Sequence, residues 1–321
     1  MSRKAHERES ALVSESMRER FYRVAAQLLD SDPRLAIVLA DIGVSGLRAH
    51  GVFERHPQRA INVGIREALM VSAAAGMALE GMRPIVHSYT PFLIERAFEQ
   101  IKLDFGHQGV GGIMVSIGGS YDASEEGRTH QAPEDVALMS ALPGWTIHVP
   151  GHPDEVEHLL RAAAARDDAV YIRLSDAVNA EPHLESSTSA TSMTAIRHGS
   201  AGSPTILAVG PMLQPVLDAT ADMDVTLLYT HTPRPLDEET LRGAVTGSDV
   251  VVAEPYLAGT SAAALTAALS DRPIRLLSIG VPNVELRRYG TPADHAHYHG
   301  LDAAGIRARL DALGGRDPLD E

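Results

Sequence analysis

Along the first half of the chain, short apolar runs alternate with longer stretches in which apolar residues recur every three or four positions. The short runs have strand length and the longer ones a helical period, which predicts repeated βα units and a parallel sheet. Expected strands are Leu35 to Ala40, Ala60 to Val63, Pro84 to Ser88, Ile113 to Ile117, Thr146 to Val149 and Val170 to Leu174. Helices are expected over Glu15 to Leu29, Ile65 to Leu79, Phe92 to Gly106, Pro133 to Ala141 and Pro153 to Ala165. Pro133 and Pro153 suit first-turn positions, where a missing N–H leaves no bond unmade.

From Asp176 to Thr194 the periodicity fades into Ser, Thr and Ala around Pro182, which reads as an interdomain linker. Beyond it the alternation resumes. Strands are expected at Thr205 to Val209, Val225 to Tyr229, Asp249 to Ala253 and Ile274 to Ser278, with helices starting from Pro211, Asp237, Thr260 and Asp302. The expected fold class is α/β, in two domains that each hold a mostly parallel sheet flanked by helices. The expected division is an N-terminal extension over 1–16, a first domain over 17–176, a linker over 177–194 and a smaller domain over 195–321.

Composition narrows the function classes. The 321 residues carry a formal net charge of -14, and a nucleic-acid or anionic-membrane surface needs a basic face instead. No cysteine is present, which excludes disulfides, thiolate catalysis and cysteine metal sites. The charged segment Met1 to Glu9 has no apolar core and is no signal peptide. No apolar run reaches the ~18 residues of a membrane span. The expected setting is cytoplasmic.

Glu67 is the residue with most to explain. It stands where the apolar strand before it turns into the Ala-rich helix Ala68 to Leu79. A first-turn Glu is favoured by the helix dipole, so a capping charge is the plain reading. The following helix, however, is apolar on nearly every face and is expected to be buried. A buried carboxyl with no cationic partner holds its proton to higher pH and can act as a general acid.

Other candidates stand beside expected strands. Asp41 and Ser45 follow the first strand, at the carboxyl end where open α/β sheets bind ligands, although Asp41 could equally cap a helix. Aromatic residues form only 4% of the chain, so Tyr89 and Phe92, on the turn after a strand, stand out as either core or site. The loop Gly118 to His130 holds too many glycines and polar groups for packed core and reads as functional. Gly210-Pro211 and Gly259-Thr260-Ser261 could open anion-binding helices, but domain packing explains them more simply.

Four blocks in order resemble the C-terminal half of transketolase, over about Met17 to Leu313. They are Leu39 to Ser45, Asn62 to Glu67, Gly81 to Phe92 followed by Arg96-Ala97-Phe98-Glu99-Gln100-Ile101, and Glu126 to Asp135. The resemblance implies a pyrimidine-binding domain followed by a transketolase C-terminal domain. It also implies thiamine diphosphate as cofactor, with Glu67 hydrogen-bonded to the cofactor's aminopyrimidine and activating it. Phe92 matches the position that stacks on the aminopyrimidine, Tyr89 and Arg96 face the cofactor, and Asp41 is a further cofactor contact. His130 matches the active-site histidine beside the substrate, and Ser45, Gly118, Glu126 and Asp176 fall at substrate positions. His295, His297 and His299 look like a metal tract. They align with a charged family helix, no carboxylate or cysteine completes a site at short range, and no metal ligand is expected in this chain.

Departures matter as much. The family holds the diphosphate through Mg²⁺ on a Gly-Asp-Gly motif, and this chain has no Gly-Asp dipeptide. The Mg²⁺ ligands are therefore expected from a partner chain. The implied assembly is a split transketolase, an α2β2 heterotetramer with a separate diphosphate-binding subunit, moving two-carbon units between small-molecule substrates. Where the family commonly has an Arg for the substrate phosphate, this chain has Asp176. It has Gly118 in place of a histidine and Glu126 in place of an Asp. Arg128 or Arg173 could compensate for the lost Arg. Rival readings are the beta chain of a 2-oxo acid dehydrogenase decarboxylase and a non-catalytic regulatory subunit. Thr129-His130-Gln131 followed by Glu134-Asp135 weighs against the first, and an intact Glu67 against the second.

Overall fold

In the computed structural model, residues 15–184 and 193–315 are described. The expected N-terminal extension therefore lies outside them up to residue 14, as do residues 185–192 of the expected linker. Two sheets organise the chain. The first has six parallel strands in the order β2-β1-β3-β4-β6-β5: β1 (Leu35–Leu39), β2 (Ala60–Asn62), β3 (Arg83–Tyr89), β4 (Gly112–Ile117), β5 (Trp145–His148) and β6 (Ala169–Arg173). β1 and β4 are buried along their whole length, as strands covered by helices on both faces must be.

The second sheet runs β11-β10-β8-β9-β7, with β7 (Thr194–Arg197), β8 (Thr205–Val209), β9 (Thr226–Thr230), β10 (Asp249–Leu257) and β11 (Arg275–Val281). It is parallel except for β7, which pairs antiparallel to β9. β7 begins inside the stretch expected to be linker. Side chains from both sheets, among them Val38, Val86, Met114, Leu207 and Val250, belong to one continuous apolar cluster. Backbone bonds join the halves directly: Ile147 N–H donates to the Arg234 carbonyl at 2.8 Å and Val149 N–H to that of His231 at 2.7 Å.

Several expectations need correction. Pro133 precedes its helix, Asp135–Ser140, by two residues and does not occupy the first turn. The expected helix from Phe92 to Gly106 is broken into wide π turns, Pro91–Glu95 and Ile101–His107, around Phe98–Gln100. Such turns re-aim side chains and collect at functional sites. The helix Glu67–Leu79 is not buried all round: Leu69 is 47% and Leu79 58% exposed, and Ile65 just before it 72%. At the helix start Gly259-Thr260-Ser261 the anion is internal, since the Glu254 carboxylate accepts from the Gly259 N–H at 2.7 Å and the Ser261 N–H at 3.1 Å.

Candidate active site

Strand order builds the site. β3, β4 and β6 are neighbours, so their carboxyl ends bring Tyr89, Gly118 and Asp176 to one place, where open parallel sheets bind ligands. A cleft of about 340 Å³ opens there, lined by Tyr89, Gly118, Glu126 and Asp176 together with Arg18, Asp122 and Glu125. Gly118 has φ +69°, and a Cβ on it would stand 2.5 Å from the Tyr89 ring. The backbone conformation and the aromatic neighbour both select glycine over a histidine.

Tyr89 joins this cleft to a second group. The His130 ring lies 5.5 Å from that of Tyr89 and 5.0 Å from that of Phe92, both edge-on. Its Nδ1 is 3.0 Å from Thr129 Oγ1. The Arg96 guanidinium sits 4.4 Å from the Phe92 centroid and donates to Glu67 Oε1 at 2.8 Å. Glu67 is 4% exposed, so the expected burial of the carboxyl holds for this side chain. The expected lack of a cationic partner does not, because the π turn of Pro91–Glu95 leads directly into Arg96 at its end.

Asp41 and Ser45 stand outside both groups and line no part of the cleft. Asp41 adopts φ +67° and pairs with Asn62, whose Nδ2 donates to Asp41 Oδ1 at 2.8 Å and whose Oδ1 accepts from the Asp41 N–H at 3.0 Å. Gly43, not Asp41, precedes the helix Val44–Ala49 as its cap, and Ser45 is exposed in the first turn. Neither arginine suggested as a substitute for the missing phosphate clamp enters the cleft. Arg173 is 1% exposed and bound to Asp135 at 2.8 Å and to Ser120 Oγ at 2.6 Å. Arg128 pairs with Glu285 at 3.1 Å and Glu134 at 3.3 Å.

Two residues of the cleft, and Glu95 next to Arg96, escaped the sequence. Arg18, on the helix Met17–Ser31, is the one cation among the cleft's described lining residues, held by Tyr22 Oη at 2.7 Å. Nothing in the run Met17-Arg18-Glu19-Arg20 marks it out from its charged neighbours. Asp122 accepts from the Asp176 N–H at 3.2 Å, and burial, followed by the Asp176 charge, pushes its carboxyl up to about 7. It also lines a larger cavity of about 500 Å³ between the two sheets. Its position in a polar, glycine-rich loop was the available signal. Glu95, between Phe92 and Arg96, is likewise pushed up to about 7, by burial and then by Glu134.

The comparisons with known proteins fit this architecture. The family model of the transketolase pyrimidine binding domain matches residues 14–178, and that of the transketolase C-terminal domain matches residues 197–306. These two domains follow one another along most of the chain, which therefore belongs to the transketolase family. It is 48% identical to an uncharacterized 33.6 kDa protein in the fasciation locus of Rhodococcoides fascians, over 89% of this chain and 90% of that one. It is 30% identical to a 6-deoxy-6-sulfo-D-fructose transketolase subunit of a Clostridium species, over 83% and 84%. The 1-deoxy-D-xylulose-5-phosphate synthase of Polaromonas naphthalenivorans is 28% identical over 98% of this chain and 50% of its own, so the chain spans about half of that enzyme. Among solved structures, a split gene transketolase described as an inactive beta4 tetramer superposes with TM-score 0.78 at 23% identity, over 92% of this chain and 97% of that one. Among the described residues no helix is long and apolar enough to cross a membrane.

Proposed function

We propose that this chain is one subunit of a two-component, thiamine diphosphate-dependent enzyme that transfers a two-carbon ketol or acyl unit between small molecules. The observation that carries this reading is the buried Glu67 carboxylate at a helix start, joined through Arg96 and Phe92 to His130 beside the cleft. The residues suit the cofactor's aminopyrimidine. Phe92 offers a ring face, Glu67 a carboxyl for a ring nitrogen, and Ile65, 72% exposed, an apolar edge. When bound, the cofactor supplies the electron sink for carbon–carbon cleavage.

The chain's own residues do the rest. Glu67 exchanges a proton with the cofactor's ring nitrogen through Oε2, while Arg96 holds Oε1 and so orients the carboxyl. His130 exchanges a proton with the substrate in the cleft, its Nδ1 fixed by Thr129. Tyr89, Gly118, Glu126 and Asp176 line the substrate's path, while exposed Asp41 and Ser45 contact cofactor and substrate in the assembled enzyme. Residues 17–176 form the cofactor-binding domain and residues from 195 the C-terminal one, of which 316–321 lie outside the described residues.

The diphosphate and Mg²⁺ are held by a separate subunit in an α2β2 assembly. Two things support this: the chain has no Gly-Asp motif, and a relative of similar length is named as a subunit. The exposed apolar side chains Ile65, Leu69 and Leu79 suit a covering partner. The test is calorimetric titration of thiamine diphosphate with Mg²⁺ into this chain, alone and mixed with the diphosphate-binding subunit. Tight binding only in the mixture is expected, and tight binding by the isolated chain overturns the split site.

A further inference from the structure

The helix Pro292–His299 carries two histidines, His295 and His299, that play no part in the site above. They lie one turn apart and are 2% and 3% exposed. Among the described residues none of their four ring nitrogens meets a partner at full hydrogen-bond geometry, although the Arg288 backbone acts on His295 as an acceptor that favours its protonated form. Leaving a buried polar group unpaired is costly, so this cluster on one helix calls for a ligand. The Arg288 carbonyl accepts from Gln131 Nε2 at 3.0 Å and keeps a second lone pair that is open to a His295 N–H.

Packing holds the rings in place. Tyr121 stacks on His295 at 5.7 Å and 16° and on His299 at 5.8 Å and 30°. Both histidines line a cavity of about 220 Å³, whose wall is completed by residues 284–288 and Tyr298. Tyr121 belongs to the same loop that forms the active-site cleft, but it is not part of this cavity.

Charge decides what the cavity can hold. Burial lowers both imidazoles, and His295, Arg288 and Arg309 add to the lowering of His299, which falls to about 4. The nearby acids are already engaged. Asp294 accepts from Thr291 at the helix start, Glu285 from Arg128, and Asp302 pairs with His297, which is exposed. Arg309 donates to the His299 carbonyl at 3.1 Å, and the Arg288 guanidinium lies 3.7 Å from the Tyr298 centroid. A cation would meet this positive field. Among the described residues, no group of three or more His, Cys, Asp or Glu side chains is gathered to offset it. An anion would relieve the field and give the imidazole N–H groups an acceptor.

We propose that this cavity binds a small oxyanion, phosphate or a phosphate monoester, through the N–H groups of His295 and His299 and the rim guanidinium groups of Arg287 and Arg288. The anion's charge favours imidazolium, so binding near neutral pH takes up a proton from solvent.

The test is calorimetric titration of the full chain at pH 7 with inorganic phosphate, and separately with glycerol 3-phosphate. Ionic strength is held constant with chloride, and two buffers of different ionisation enthalpy are used. Saturable one-site binding with net proton uptake is expected, weakened at least about tenfold by His299→Gln and by Arg288→Gln. Arg288 is exposed, so its variant keeps the test valid if the histidine variant fails to fold. Tighter glycerol 3-phosphate identifies a monoester as the ligand, and tighter inorganic phosphate the free ion. Absence of saturable binding, binding without proton uptake, or unchanged affinity in Arg288→Gln overturns the proposal.

Discussion

Arg96 Nη1 lies 2.8 Å from Oε1 of Glu67, so an arginine side chain that is 51% exposed clamps a carboxylate that is almost wholly buried. Solvent screens the exposed partner, and such pairs contribute little to folding. The pair therefore serves position more than stability. Arg96→Gln is expected to change unfolding free energy by less than about 1 kcal/mol, measured by denaturant titration. A loss of several kcal/mol would make the pair structural.

The contrast is the Arg173–Asp135 pair, with both side chains essentially inaccessible. Tyr171 Oη also donates to Asp135 Oδ2, at 2.6 Å. Removing one partner leaves the other charge buried and uncompensated, so Arg173→Met is expected to destabilise the fold by roughly 3–5 kcal/mol. Thermal and denaturant unfolding read this directly, and a change below about 1 kcal/mol would contradict it.

Asp122 makes stability depend on pH. With its carboxyl raised from 3.8 to about 7, the folded protein keeps a proton that the unfolded chain releases within that window. The fold therefore loses stability as pH rises from about 4 to about 7, and the loss is complete above that. Asp122→Asn is expected to be roughly 1–3 kcal/mol more stable than the parent at pH 8 and to show no such gain at pH 4. Unfolding curves across this range check it, and a gain of equal size at both ends would remove Asp122 as the cause.

The cleft's acidic lining bears on the donor substrate. On the proposed correspondence with the family, Asp176 takes the place of a phosphate-gripping arginine; Arg173 and Arg128 are engaged elsewhere, and Arg18 is the cation among the cleft's described lining residues. A carboxylate repels a phosphate that an arginine would hold. The reconstituted complex is expected to use unphosphorylated or short 2-oxo donors better than xylulose 5-phosphate, and Asp176→Arg to improve use of the sugar phosphate. Steady-state kcat/KM on each donor tests this, and a clear preference for the sugar phosphate that Asp176→Arg leaves unchanged would contradict it.

Much of the fold was legible because apolar period and turn residues agree along most of the chain. The runs around Ile37, Ile85 and Met114 are buried strands, as their patterns predict. What escaped was short or set by tertiary contact. The helices Val44–Ala49 and Val52–Arg55 are too brief for a period to show. β7 is a partly polar edge strand defined by its pairing with β9. Glu67, Phe92, Arg96 and His130 were visible as motif positions, and the structure groups them. Arg18 was not, because its role depends on the helix Met17–Ser31 setting it beside the Tyr89 ring at the end of β3, which no local pattern encodes. The Glu67–Arg96 pair escaped for the same reason, its partners standing 29 positions apart.

The most direct measurement of the central claim is exchange of the thiazolium C2 proton of thiamine diphosphate for deuterium, in the complex of this chain with its diphosphate-binding subunit. An amide at position 67 keeps the shape of the carboxyl but cannot shift the cofactor's protonation equilibrium. Exchange accelerated by the parent complex, and slowed at least about a hundredfold in an intact Glu67→Gln complex, is the predicted result. Parent-like exchange in that variant would return Glu67 to the role of a helix-terminal charge and contradict the account.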